Sequence, residues 1–123
     1  MQDLPKDPDL LAVVAEFLRR EVMPAVSNGL AFRVRVAANV VDMVQRQLTQ
    51  PENIAAEERQ RLRDLLGEDG DTRLLTERLC QGIANGEFTL DTPGLADFLW
   101  FVTLHKVAVD QPRYSGYLNA RDR

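Results

Sequence analysis

A chain of 123 residues has the length of one ordinary domain, which is enough to form a hydrophobic core without disulfides or a metal. Hydrophobic residues make up 45% of the chain, which excludes a disordered protein, and the net charge of −4 argues against a general nucleic-acid binder. The single cysteine, Cys80, excludes an internal disulfide and favours a reducing cytoplasm. No apolar run approaches the roughly 20 residues of a membrane span, and the N-terminus is too polar for a signal peptide.

The first predicted helix begins at Asp7, an N-cap residue followed by Pro8, and ends or kinks at Pro24. Arg19, Arg20 and Glu21 are expected to be outward or flanking on this helix. The segment Ser27-Asn28-Gly29 has the composition of a turn. The predicted buried face of the first helix consists of Leu10, Leu11, Val14, Phe17, Leu18 and Val22.

The second predicted helix, from about Leu30 to Gln50, has the most regular apolar pattern of the chain. One row is formed by Leu30, Val34, Ala37, Val41, Val44 and Leu48. A neighbouring row is formed by Phe32, Val36, Val40 and Met43. Residues 32–36 also alternate as a strand would, but the helical spacing continues to Leu48, so a helix is favoured. The two rows predict a central helix with neighbours on more than one side.

Two shorter helices follow. The third begins at Asn53 or Ile54 and ends at Leu66, with Gly67 in the left-handed position. The fourth begins after Asp71 as N-cap and ends at Asn85-Gly86. The inward positions of these two helices are Leu62, Leu65, Leu66, Leu74, Leu75, Leu79 and Ile83. In the loop that follows, Phe88 and Leu90 are expected to enter the core.

The fifth predicted helix has Thr92 as its cap and Pro93 at its first position, and Pro112 ends it by about Gln111. The tail from residue 113 is expected to lie across the other helices, and residues 1–6 and 118–123 to fray. We therefore predict an all-α, single-domain bundle of about five helices. Because the fifth helix is apolar almost all round, it is expected to form a homodimer interface through Trp100, Phe101 and Leu104.

Polar residues on the second helix form a possible site. Arg35, Asn39, Asp42 and Arg46 lie on one side of it, which is typical of a solvated face with an Arg–Asp ion pair. The alternative is a polar groove that binds an anion or a partner. Because asparagine is a poor helix former, Asn39 is expected to make a specific hydrogen bond.

The remaining candidates are isolated in the sequence. His105 is the only histidine, and either acts as a general base or interacts with the C-terminal end of its helix. Cys80 is expected to be a buried, inert thiol. Arg113 lies in the tail, where Asp110 can pair with it. Motifs of the HExxH, CxxC or glycine-rich phosphate-loop type are absent, so no catalytic residue, metal or cofactor is predicted.

Several segments together resemble one bacterial family of small helical domains of unknown function. They are Arg35-Val-Ala-Ala-Asn39, the third helix with Glu57 and its end Leu65-Leu66-Gly67, Ile83-Ala-Asn-Gly86, and the run from Leu104 to Tyr114. This family accompanies phosphotransferases of the aminoglycoside/choline-kinase-like type, often near acyl-CoA dehydrogenases. The resemblance implies an accessory role beside such an enzyme. The catalytic motifs of the phosphotransferase are absent here, so the chain is not expected to be the kinase itself.

Two functional hypotheses follow from the sequence. The first is a cytoplasmic, homodimeric interaction domain that binds or regulates a kinase-like phosphotransferase. The second is a small-anion binding protein or minor enzyme in which Arg35, Asn39, His105 and Arg113 converge on one pocket. Nucleic-acid binding is disfavoured because acidic residues such as Glu57 and Glu58 dilute the arginines of the second and third helices.

Overall fold

The protein is all-α, as predicted. The structure, a computed structural model, describes residues 4–123, which contain six α helices and no strand. The helices are α1 (Asp7–Phe17), α2 (Asn28–Thr49), α3 (Asn53–Leu66), α4 (Thr72–Ala84), α5 (Leu95–Asp110) and α6 (Ser115–Ala120). The chain divides into two compact units, Met1–Gln50 and Pro51–Arg123. That both belong to one domain stays a prediction.

The first unit is a pair of helices, α1 and α2, in contact along their length. Between them α1 continues through a π-helical turn at Leu18–Val22 and a 3-10 turn at Met23–Ala25. Pro24 lies in that last turn, and the backbone becomes extended at Val26, so helical structure ends where the proline predicts it. The predicted turn at residues 27–29 is wrong in part, because α2 already begins at Asn28.

Small side chains dominate the buried part of this unit. Its buried residues are Ala15 of α1 and Val34 and Ala38 of α2. The predicted buried face of α1 is wrong for Leu10, Val14 and Phe17, which are exposed. In a two-helix unit each helix has a single covered side, so burial is confined to the residues nearest the partner helix.

The prediction that α2 is surrounded by neighbours is wrong within this unit. Leu30, Val44 and Leu48 of its first apolar row are exposed, as are most residues of the second row. Within the unit, α2 contacts only α1 and the two turns that extend α1. Apolar periodicity shows which side of a helix avoids water, but it does not show whether the same chain provides the cover.

The second unit has a conventional core. The buried residues that contact one another are Leu62, Leu75, Leu79, Leu95 and Phe98. Helix α3 contacts both α4 and α5, and α6 packs on α5. The inward positions predicted for Leu62, Leu75 and Leu79 are therefore confirmed, whereas Leu74 and Ile83 are exposed. Leu65, Leu66 and Phe88 pack against the edge of this core.

Helix ends in this unit follow the sequence in part. The side chain of Asp71 accepts a hydrogen bond from the Leu74 N–H at 2.9 Å, and Gly67 has a φ of 67°, both as predicted. The predicted start of α5 is wrong. The Thr92 hydroxyl accepts from the Thr89 N–H at 2.9 Å and stabilises a turn, so α5 begins at Leu95, two residues after the predicted first position, with Gly94 as its N-cap.

The C-terminal tail contains α6, which the sequence did not predict. Six residues with one glycine carry too little apolar periodicity to indicate a helix. Residues 118–120, which were expected to fray, lie in this helix, while residues 1–3 of the expected N-terminal fray lie outside the described residues. At the other end of the chain α1 begins at Asp7 itself, with Lys6 in the cap position.

The loop after α4 folds back onto that helix. Phe88 packs against the core as predicted, but Leu90 is exposed, contrary to the prediction. A Cβ atom on Gly82 would lie 2.2 Å from the Phe88 ring, so a glycine is required at this contact. The Arg78 guanidinium lies over the same ring and pairs with Glu87 at 2.8 Å.

We expect Gly82→Ala to destabilise the protein by about 1–3 kcal/mol, because the added methyl group forces the Phe88 ring out of its position. The matched control is Gly29→Ala in the first turn of α2, where a Cβ would meet nothing within 4 Å. That variant is expected to be neutral or more stable by up to about 1 kcal/mol, because alanine restricts the unfolded chain. Urea denaturation measures both changes, and an equal effect of the two substitutions would contradict the close contact.

The Arg78–Glu87 pair predicts a pH dependence. The hydrogen bond from Arg78 lowers the pKa of Glu87 below its ordinary value, an effect that burial opposes and the Arg78 charge reinforces. A lowered folded-state pKa stabilises the fold above the ordinary carboxyl range, and this stabilisation is lost as the pH falls through the lowered pKa. Glu87→Gln should therefore reduce stability at neutral pH, and its difference from the wild type should shrink in acid. Urea denaturation of both proteins at neutral and at acidic pH tests this. A stability difference between them that grows in acid would contradict a lowered Glu87 pKa.

Candidate functional site

The candidate site is an apolar groove between α5 and α6, called here the α5–α6 groove. It encloses a volume of about 250 Å³. Its main lining residues are Trp100, Leu104, Val107, Tyr114, Tyr117 and Ala120. Trp100 and Tyr114 are 54% and 60% exposed, so both rings are accessible from solvent. An accessible apolar groove with large aromatic side chains is the kind of surface that binds an apolar group.

The local sequence explains how the groove forms. Trp100, Leu104 and Val107 are spaced by four and three residues, so α5 presents them on one side. Pro112 follows the end of α5, and the chain then turns back so that α6 packs on α5. The Tyr114 ring lies against Gly116, where a Cβ would be only 2.6 Å from the ring. The glycine thus lets Tyr114 take its place at the groove.

The three predicted interface residues do not share one surface. Trp100 and Leu104 line the α5–α6 groove. Phe101 instead lies beneath the Arg61 guanidinium of α3, which is 4.3 Å from the ring centre, and beside the His105 ring at 4.4 Å. Because Arg61 belongs to α3 and Phe101 to α5, this stacking is part of the contact between the two helices, and Arg61 also pairs with Glu57 of its own helix at 2.8 Å.

His105 is engaged by its own helix. Its Nδ1–H donates to the Phe101 carbonyl at 2.7 Å, which fixes the ring one turn back along α5. Arg113, the other predicted ligand from this unit, lies in the link between α5 and α6. Neither residue is among those that line the groove. The Phe101 carbonyl lies in the middle of α5 and not at its C-terminal end, so this contact is not the helix-end interaction that the sequence suggested for His105.

The polar side of α2 has an organising residue that the sequence did not identify. Arg19 Nη2 donates to Asn39 Oδ1 at 2.9 Å and to Asp42 Oδ2 at 2.6 Å. The specific hydrogen bond predicted for Asn39 is therefore confirmed, and its donor is Arg19, which the sequence placed only as outward or flanking on the first helix. Arg19 lies in the π-helical turn, whose extra residue changes the direction of the side chains that follow. A 3.6-residue pattern carries no signal for such a turn.

The four residues proposed for an anion pocket are divided between the two units. Arg35 and Asn39 belong to the first unit, His105 and Arg113 to the second. Their convergence on one pocket stays a prediction. Asn39 Oδ1 already accepts from Arg19.

A second cavity of about 270 Å³ lies at the start of α5, where Asp64 and Asp97 face it together with Arg61. Most of the charged side chains at this cavity already have a hydrogen-bond or ion-pair partner. Arg61 pairs with Glu57, and Asp64 accepts from Gln60 Nε2 at 2.8 Å. Both interactions lie within α3, so Arg61 and Asp64 are already engaged along their own helix.

The prediction of a buried thiol is wrong, because Cys80 is exposed. Its neighbour Leu79 is buried, but adjacent residues of a helix point about 100° apart, so burial of one says little of the next. Among residues 4–123 no group of three or more His, Cys, Asp and Glu side chains is arranged to hold a metal ion. Within the same residues no helix combines the length and the apolar character that crossing a membrane requires.

A family model described as a domain of unknown function, DUF6285, matches residues 24–114. The chain belongs to this family. In this DUF6285 chain the match includes α2 to α5 and ends at Tyr114, so the α5 side of the groove lies within it and α6 lies beyond it. No curated protein and no solved structure matches the chain. The resemblance to a domain family of unknown function is confirmed to this extent, and the association with phosphotransferases stays a prediction.

We expect Arg19 and Asp42 to be coupled in their effect on stability. Their ion pair is partly shielded, with side chains 35% and 26% exposed, so a double-mutant cycle of Arg19→Ala and Asp42→Ala should give about 0.5–1 kcal/mol. Arg20 and Glu16 form the matched control, a more exposed pair at 3.0 Å on the same helical segment. Their cycle should give about half as much or less. Equal couplings in the two cycles, measured by urea denaturation, would contradict a special role for Arg19.

Proposed function

We propose that this DUF6285 chain is a helical interaction domain of the bacterial cytoplasm that binds a kinase-like phosphotransferase through the α5–α6 groove. The observation that carries the proposal is the groove itself, with Trp100 and Tyr114 accessible beside Leu104. Tryptophan and tyrosine in an accessible pocket are the residues that contribute most to protein interfaces. The choice of a phosphotransferase rests on the resemblance of segments such as Leu104–Tyr114 to domains that accompany those enzymes.

The stretch of sequence that includes α6 has a basic surplus, which favours a particular kind of partner segment. Residues 105–123 include four basic side chains, Lys106, Arg113, Arg121 and Arg123, against two acidic ones. A partner segment with an apolar side chain for the groove and acidic residues beside it matches this surplus. The chain would then act as a binding subunit and leave the chemistry to the phosphotransferase, whose own catalytic motifs this sequence lacks.

The test is a binding measurement between the full chain and an aminoglycoside/choline-kinase-like phosphotransferase of the same organism. We expect a stable complex in light scattering after size exclusion. Trp100→Ala should weaken the complex roughly tenfold or more in calorimetric titration, because it removes the largest side chain of the groove. Gly116→Ala should weaken it as well, since the added Cβ displaces the Tyr114 ring without removing any side chain.

Leu74→Ala on α4 is the matched control. Leu74 is 51% exposed, close to the 54% of Trp100, but it does not line the groove. Its substitution should leave the affinity unchanged. The absence of a complex with the wild-type chain would overturn the proposed partner, and equal losses for Trp100→Ala and Leu74→Ala would overturn the proposed surface.

A further inference from the structure

Helix α6 depends on its surroundings for its helical form. It has six residues, none of them buried, and its N-cap residue Tyr114 makes no side-chain capping hydrogen bond. Helices shorter than roughly 12–15 residues are marginal in water even with favourable sequences. Ser115, Gly116 and Asn119 are, in addition, poorer helix formers than alanine. The helix therefore forms because it is docked on the rest of the second unit.

The contact that docks α6 is small and apolar. Within the second unit α6 packs on α5 and on no other helix. Tyr117 and Ala120 line the α6 side of the α5–α6 groove, opposite Trp100 and Leu104 of α5. Within residues 4–123 no side-chain hydrogen bond or ion pair involves a residue of α6. The docking of α6 thus rests on the removal of a few apolar side chains from water, and the groove leaves part of that surface accessible.

The link before α6 allows the helix to move as one piece. The backbone leaves the helical conformation at Gln111, with a φ of −141° and a ψ of 65°, and it is extended at Tyr114. A short non-helical link at the end of an element is where a rotation of the next element is absorbed. The Tyr114 ring packs against Gly116 in the first turn of α6, so the ring moves together with the helix. The moving part begins at the residue where the match to the family model ends.

We propose that Tyr114 and α6 form a lid that leaves α5 and returns to it in the free chain, and that the partner's apolar side chain holds the lid on α5. A group in the groove contacts Trp100 and Leu104 on one side and Tyr117 and Ala120 on the other. It therefore binds the docked lid more tightly than the undocked one, and by linkage it raises the population of the docked form. The identity of the occupant, a side chain of the phosphotransferase, rests on the proposed function, whereas the movement of α6 does not.

Leu118 allows the lid to be weakened without changing the groove lining. Its N–H donates to the Tyr114 carbonyl at 3.0 Å, while its side chain is not among those that line the groove. Leu118→Pro removes this donor and breaks the short helix. Leu118→Ala is the matched control at the same position, because it shortens the side chain but keeps the N–H and the helix.

The first measurement uses the chain alone. In hydrogen exchange followed by mass spectrometry, the amides of α6 should exchange faster than those of the middle of α5. In Leu118→Pro the emission of Trp100 should shift to longer wavelength and acrylamide should quench it more strongly, because the undocked lid no longer shields the indole. Leu118→Ala should stay close to the wild type in both properties. Amides of α6 that are protected as strongly as those of α5, or equal emission shifts in the two variants, would overturn the lid.

The second measurement uses the complex with the phosphotransferase. Binding should protect the amides of α6 from exchange. Leu118→Pro should raise the dissociation rate, measured by surface plasmon resonance, roughly tenfold, since the lid no longer closes over the occupant. Leu118→Ala should change that rate by less than about threefold.

The two measurements separate the lid from the proposed function. Amides of α6 that exchange equally fast in the complex and in the free chain, or an unchanged dissociation rate in Leu118→Pro, would overturn the coupling between lid and occupant. The absence of any complex would overturn the proposed function. In that case the exchange and the fluorescence of the free chain still decide whether α6 is a lid.

Discussion

Apolar surface on a helix contributes to stability only where another element excludes water from it, and the two units of this protein meet that constraint differently. In the second unit α3 packs on both α4 and α5, and five large apolar side chains become buried together. In the first unit α2 has cover on one side only, and its buried residues are few and mostly small. The consequence is a well-formed core in one unit and, in the other, apolar surface that its own two helices do not bury.

This difference explains what the sequence could predict of the fold. Helix positions followed from periodicity and from local chemistry at the ends, as at Asp71 and Gly67, where a side-chain acceptor and a left-handed glycine act within a few residues. Burial was predicted correctly where several helices meet, as for Leu62 and Leu79. It failed on α1 and α2, because the periodicity of Phe17 or Val44 is the same whether the covering helix belongs to this chain or to another.

The polar side of α2 shows a second limit of sequence patterns. Asn39 was recognised because asparagine inside a helix needs a hydrogen-bond partner, and the structure provides one. The partner, Arg19, lies 20 residues away in a turn that departs from α-helical spacing, and that departure has no periodic signature. The sequence likewise indicated only the α5 side of the groove. Trp100 and Leu104 were recognised as candidate interface residues on α5, whereas α6 is too short to be recognised as a helix.

The position of Trp100 has a further consequence for the study of this protein in solution. It is the only tryptophan of the chain, so the tryptophan fluorescence of the isolated protein comes from one indole at the α5–α6 groove. An exposed indole emits at longer wavelengths than a buried one, and any group that enters the groove removes water from it. The emission of the unlabelled chain is therefore a built-in optical probe for whatever occupies this one place, and other parts of the molecule contribute no competing tryptophan signal.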